Sequence, residues 1–258
     1  MKLPAQVFHL AEAANWPSIQ QHGLLSTSAL LDLAGVRGNK RAQFEQRPRS
    51  IHIELPNGVQ VRDQKPMLTQ ALARCLIGIS PVEWYGLLNS KVYFWLDPAR
   101  LDRQRRACDP RPQVVLAVDT KRLLATHAQR IALSPINTGN ARRRPAVRGR
   151  STFVPYAMWC KSGWCSEAVG LGTRTRARSH RPVELTVDGA VPNIMDLIIQ
   201  VYQIEPRESF CVKRNIRAAV VADRAGRGVM HSAMTGAVFP ADGIMSGLSG
   251  HLYVRSNR

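Results

Sequence analysis

Three polar residues sit where their neighbours are apolar or strand-forming. His9 lies in Val7-Phe8-His9-Leu10, Arg62 closes Val59-Gln60-Val61, and Glu184 is the only carboxylate inside Pro182-Val183-Glu184-Leu185-Thr186-Val187. An imidazole, a guanidinium and a carboxylate on separate segments are the parts needed to break a ribose glycosidic bond in a dinucleotide such as NAD. Bond breaking makes the ribose oxocarbenium-like. A carboxylate beside it can hold the hydroxyls and offset the developing positive charge. A cation can fix the pyrophosphate, and an aromatic ring can stack on nicotinamide. Tyr93, in Tyr93-Phe94-Trp95, is the candidate ring. Each residue also has a plain reading. Alternation alone sends Glu184 to solvent or into a cleft. Arg62 could pair with the adjacent Asp63, His9 could be a structural histidine, and Tyr93 could be a core aromatic.

Stepping along the chain gives the elements that must carry these groups. Residues 6–10 read as a strand. Asn15 is placed to cap a helix with Pro17 in its first turn and Gly23 as its breaker. A short helix follows over 26–33, then a basic, polar and mobile stretch over 37–49. Two strands, 51–54 and 59–61, flank a Pro-Asn-Gly turn. Helices are expected over 66–76 and 81–88, strands over 91–96 and 113–118, a helix over 120–127 and a strand over 131–133. Residues 137–150 and 173–180 are arginine-rich loops. Residues 183–187 form a strand, and the apolar segment 191–204 can continue the sheet. Strands and short helices mix without a βαβ rhythm, which favours an α+β fold. The character changes after Glu205, so a first domain over 1–205 is followed by an extension, 206–258, without an evident role.

Composition narrows the partner. The 258 residues carry 36 Lys and Arg against 18 Asp and Glu, a formal charge of +18, and 45% are hydrophobic. That is enough apolar content for a core, with a large excess of fork-shaped donors that match phosphate oxygens. Nucleic acid is the partner class this suggests. No apolar run reaches the roughly 18 residues of a membrane span, and no secretory leader is expected from the first residues. Five cysteines without a framework fit a reducing cytoplasm. Cys160, Cys165 and the later His180 fall short of a zinc-ligand set.

Taken together, the motifs resemble the DarT-like branch of the ADP-ribosyltransferase superfamily, nucleic-acid-modifying enzymes of bacterial toxin–antitoxin and phage-defence systems. The resemblance runs through His9, Asn15, Pro17-Ser18-Ile19 and Gly23-Leu24-Leu25. It continues in Arg62 with Pro66-Met67-Leu68, and in Glu184 with the trailing Val191-Pro192 and Ile194. It covers roughly residues 6–204. It implies a split, mixed β-sheet core of six or seven strands with short surrounding helices, around an NAD cleft and without a metal. By that resemblance His9, Gly23 and Arg62 contact NAD, Arg62 also helps activate the acceptor, and Glu184 is the catalytic carboxylate.

In the superfamily the loop before the glutamate meets the acceptor. Here that loop carries Arg174, Arg176, Arg178 and Arg181. Further arginines at 100–106, 142–144, 148 and 150 could extend the track. Phosphate contacts give position and affinity, and a base must be reachable to be modified. Single-stranded DNA or RNA is therefore the expected acceptor, with an antitoxin protein as a possible second partner. The competing readings are a protein-modifying ADP-ribosyltransferase or NAD glycohydrolase, and a non-catalytic nucleic-acid-binding module. An RNA 2′-phosphotransferase shares the core but does not need the glutamate.

Overall fold

The computed structural model describes residues 2–64, 67–108, 111–142 and 145–215. The first part contains β1 (Gln6–Glu12), α1 (Trp16–His22), β2 (Leu24–Leu25), α2 (Thr27–Leu33) and α3 (Gly38–Glu45). Next come β3 (Ile53–Glu54), β4 (Gln60–Val61), α4 (Thr69–Ala73), α5 (Pro81–Asn89), β5 (Lys91–Trp95) and α6 (Pro98–Ala107). Then follow β6 (Gln113–Asp119), α7 (Thr120–His127), β7 (Ile131–Ser134), β8 (Val154–Pro155), α8 (Tyr156–Ser162) and α9 (Cys165–Leu171). The last are β9 (Glu184–Asp188), β10 (Ala190–Val191), α10 (Ile194–Leu197) and β11 (Ile198–Ile204).

Local chemistry explains the helix starts. Ser26 caps α2, Asp97 caps α6 and Asp119 caps α7, while Ser80 and Glu83 form a reciprocal capping box on α5. Two expectations change. The basic stretch after Arg37 is not a loop throughout, because Gly38–Glu45 is helical and Arg41 pairs with Glu45 one turn on. Asn15 does not cap α1 with its side chain. Instead its amide bonds the Gln60 backbone in both directions at 2.8 Å, pinning β4 to the end of β1.

Seven strands form the main sheet in the order β11-β6-β1-β5-β9-β7-β8. The α+β class holds, but the sheet is not mixed: its strand pairs are antiparallel. Helix α6 joins β5 to β6, the kind of connection that produces parallel neighbours, yet β1 lies between them. The apolar segment at 191–204 does extend the sheet, as β11 on β6.

The sheet is weakly joined at its middle. β1 matches β6 from Gln6↔Asp119 to Glu12↔Gln113, and β5 matches β9 from Lys91↔Asp188 to Trp95↔Glu184. Between β1 and β5 the register holds at Phe8↔Trp95 alone. The two halves diverge from that point, which opens a split.

One face of the sheet packs Val7, Phe94, Leu116, Leu133 and Leu185 against Ile19, Trp159, Trp164 and Ile194. The other face is divided. Phe8, Trp95, Val115 and Val183 pack with Leu101, Tyr202 and Phe210. Ala132 and Phe153 pack with Leu72, Trp84 and Leu88. A compact unit runs as far as Arg214, past the boundary expected at 205. Phe210 stands against Phe8 and Tyr202, with ring centroids 5.5 and 5.3 Å apart. The Ser209 hydroxyl and the Phe210 N–H donate to Asp102. Residues 216–258 lie outside the described residues.

Gly23 has a clear backbone reason. Its φ is +76°, and a Cβ there would lie 2.5 Å from backbone atoms of Val191 and Pro192, where β2 meets β10. Gly23→Ala is expected to destabilise the fold by about 3 kcal/mol or more, since strain and a backbone clash add. Urea denaturation measures it, and an unchanged midpoint would mean the close approach is not real.

Candidate active site

Glu184 opens β9, across from Trp95 on one side and Ser134 on the other. That register puts it on the divided face, at the seam between the two apolar clusters. It is 4% exposed. Of the two directions alternation left open, the side chain takes the inward one. The Thr138 N–H donates to both carboxylate oxygens at 3.2 Å, and the Thr138 hydroxyl donates to Oε2 at 2.8 Å. Burial pushes the carboxyl from 4.5 up to about 7, against the pull of the Thr138 donors, Arg148 and Arg100. A carboxylate tuned to that value exchanges its proton near neutral pH.

Thr138 is itself held. Arg148, 2% exposed, donates from Nη1 to the Thr138 carbonyl at 3.1 Å and from Nε to the Ala146 carbonyl at 3.0 Å. Burial lowers its affinity for its proton. The Tyr93 ring lies beside this group. Burial and the neighbouring Glu184 charge raise its hydroxyl well above the usual tyrosine range. Tyr93 also packs against the Trp84–Phe153 cluster, as a core aromatic does.

His9 lies where β1 and β5 diverge, with Arg62 beside it. The His9 Nδ1–H donates to the Tyr93 carbonyl at 2.8 Å, an acceptor freed where β1 and β5 diverge. A carbonyl can only accept, so Nε2 is the ring's acceptor nitrogen. Burial first, and the Arg62 charge as a smaller cause, lower the imidazole to about 4, so the ring is neutral at physiological pH. Arg62 does not depend on Asp63 for its pairing. Its Nε donates to Glu12 Oε1 at 2.8 Å, and Glu12 is 2% exposed. His52 Nε2 lies 3.3 Å from the same oxygen, and Arg49 Nε holds the Arg62 carbonyl at 2.7 Å.

His9 and Arg62 are neighbours where β1 leaves β5, and Tyr93 and Glu184 are neighbours on the divided face; the Tyr93 backbone joins the two pairs. Gly23 lies against Val191–Pro192, where its role is to let two backbones meet. Sequence reasoning missed Glu12 and Thr138, and it read Arg148 as part of the phosphate track rather than as the buried support of Thr138. Glu12 carries the signal that singled out Glu184, a carboxylate at the end of an otherwise apolar strand. Lys65 and Pro66, part of the expected arginine motif and helix start, lie outside the described residues.

The arginines divide. Arg174, Arg178 and Arg181 are exposed. Arg176 is not a free donor, because it makes a bidentate pair at 3.0–3.2 Å with Glu167, a carboxylate 1% exposed. His180 bonds the Pro135 carbonyl and receives the Trp164 indole N–H on its own carbonyl, so the loop is pinned at both points. The wider track is shorter than expected. Arg105 and Arg148 are buried, and Arg150 pairs with Glu83. Arg143 and Arg144 lie outside the described residues. Among the described residues, no group of three or more His, Cys, Asp or Glu is placed to hold a metal ion, and no helix is long and apolar enough to cross a membrane.

Residues 5–198 match the model of a family described as "Family of unknown function (DUF7002)". The chain belongs to this family. No curated protein matches the DUF7002 chain. Among solved structures it is similar to DarTG of Thermosipho africanus in complex with ADP-ribose, at 13% identity and TM-score 0.38, covering 83% of this chain and 48% of that one. It is also similar to DarT of Thermus sp. 2.9 in complex with ADP-ribosylated ssDNA, at 13% identity and TM-score 0.36, covering 83% and 88%. The chain spans about half the length of the DarTG chain. At that identity and those scores neither likeness identifies a reacting residue here.

Proposed function

We propose that the split holds NAD, and that the protein transfers ADP-ribose from it to single-stranded nucleic acid, with DNA as the acceptor tested first. The observation that supports this is two largely buried polar pairs, His9 with Arg62 and Tyr93 with Glu184, joined through the Tyr93 backbone. These residues suit NAD: a guanidinium to hold it, a neutral imidazole with an acceptor nitrogen, a phenol ring, and a buried carboxylate. NAD supplies an activated bond between nicotinamide and ribose. Glu184, once ionised, offsets positive charge developing on the ribose in a desolvated seam, where such an interaction is strong. Thr138 and Arg148 fix its orientation. Activity of this kind harms its host cell, which gives a restraining partner protein a reason to exist.

Incubation with radiolabelled NAD and a panel of single-stranded DNA, duplex DNA, RNA and protein tests the reading. Label on single-stranded nucleic acid supports it, and label on protein alone or on nothing overturns it. The exposed arginines add a graded test. Replacing Arg174, Arg178 and Arg181 with alanine is expected to flatten the slope of log affinity against log salt for single strands by about 2. NAD affinity should not change. An unchanged slope would remove the loop from the acceptor surface.

A further inference from the structure

Where β1 ends and β6 begins, a cluster of buried polar atoms has no partner. Glu12 and Gln113 face each other in register, so their side chains leave the same face of the sheet. They are 2% and 1% exposed. Glu12 spends Oε1 on Arg62 and His52, but its Oε2 has no hydrogen bond. Both amide atoms of Gln113, Nε2 and Oε1, are equally without partners, as is Arg62 Nη2. Buried polar atoms in folded proteins are nearly always satisfied, and each exception carries a free-energy penalty. Orphans gathered on one carboxylate, its guanidinium and its cross-strand neighbour are sealed from solvent in the ligand-free protein, and a polar guest entering between them would satisfy them.

The set has a readable polarity. Glu12 Oε2 and Gln113 Oε1 accept, while Gln113 Nε2 and Arg62 Nη2 donate. A phosphate meets repulsion from Glu12 and finds too few donors. A cationic amine meets Arg62. What fits is a neutral group that both donates and accepts, through two positions each. NAD carries two such groups, a vicinal ribose diol and the nicotinamide carboxamide.

We infer that Glu12, Gln113 and Arg62 form a subsite of the split that takes a neutral hydroxyl pair or carboxamide of the dinucleotide. The inference rests on the NAD reading of the cleft and adds to it Gln113, which no motif marked, and a second task for Glu12. Glu12 thereby holds Arg62 through one oxygen and the ligand through the other.

Titration calorimetry on the full chain tests it, with ADP-ribose as the diol probe and nicotinamide as the carboxamide probe. Gln113→Leu keeps the side chain's size and removes its polar atoms. The variant is expected to bind one of the two probes about tenfold to a hundredfold more weakly. The same change should raise Tm of the ligand-free protein by roughly 3 °C, since unsatisfied atoms leave the interior. The probe that weakens names the group: ADP-ribose for the diol, nicotinamide for the carboxamide. Glu12→Gln should weaken the same probe. If Glu12→Gln fails to fold, Gln113→Leu decides alone. Wild-type binding of ADP-ribose and nicotinamide with both affinities unchanged in Gln113→Leu would overturn the subsite and leave the cleft reading standing. Wild-type protein that binds neither probe, nor NAD, would overturn both.

Discussion

Glu184→Gln is expected to reduce ADP-ribosyl transfer by about a hundredfold to a thousandfold, the scale on which one electrostatic partner of a developing charge acts, while the protein folds normally. Glutamine keeps the volume and an acceptor for Thr138. It removes the charge that the seam tolerates poorly. Stability should then report the proton on Glu184. The folded carboxyl titrates near 7 and the unfolded one at 4.5. Between those values the folded state binds a proton that the unfolded chain has released, so wild-type stability falls as pH rises and levels off above about 7. The full penalty is on the order of 3 kcal/mol, and Glu184→Gln escapes it. His9 contributes the opposite slope, because between about 4 and 6.5 the unfolded chain takes a proton that the buried imidazole does not. The two trends oppose each other in the wild type. In Glu184→Gln stability should climb with pH over that window, and transfer by the wild type should rise as pH passes through about 7. Urea denaturation at several pH values measures the first, initial rates the second. Parallel stability profiles for wild type and variant would show that Glu184 is not buried as an acid.

Arg62→Ala is expected to damage both activity and fold. It leaves the Glu12 carboxylate, 2% exposed, without its guanidinium. Removing one partner of a buried pair costs about 3–5 kcal/mol, more than the intact pair contributes. The double change Glu12→Gln with Arg62→Met should recover most of that stability, since no lone charge remains. It should recover no transfer. Recovery of both would reduce Arg62 to a structural role, and a single variant as stable as wild type would mean that the Glu12 pair carries no weight.

Much of the frame was legible because periodicity and punctuation agreed. β1, β5, β6, β7 and β9 are apolar runs, and Ser80-Pro81 and Asp97-Pro98 mark helix starts by their capping chemistry. The α3 helix was missed because its charged, nearly unburied surface shows no apolar stripe. Asn15 had the right type for a cap, but a tertiary partner, the Gln60 backbone, took its amide. The antiparallel sheet was not readable, because nothing local says that β1 inserts between β5 and β6.

The polar residues of the candidate site were legible and those that hold them were not. His9, Arg62 and Glu184 stand out as polar residues in apolar surroundings. Thr138 and Arg148 come from an irregular segment where spacing carries no information, and their roles depend on a fold that returns that segment to the β9 edge. Arg176 looked the same as its neighbours in the loop. Only Glu167, buried on α9, separates it from them.

The most direct measurement pairs two readouts in one tube. Wild-type protein is mixed with NAD and a single-stranded DNA oligonucleotide, and released nicotinamide is quantified beside the intact mass of the oligonucleotide. The expected result is one ADP-ribose gained by the oligonucleotide for each nicotinamide released, with both signals lost in Glu184→Gln. Nicotinamide released with no gain in mass, or equal signals from wild type and variant, would contradict a transfer reaction carried by Glu184.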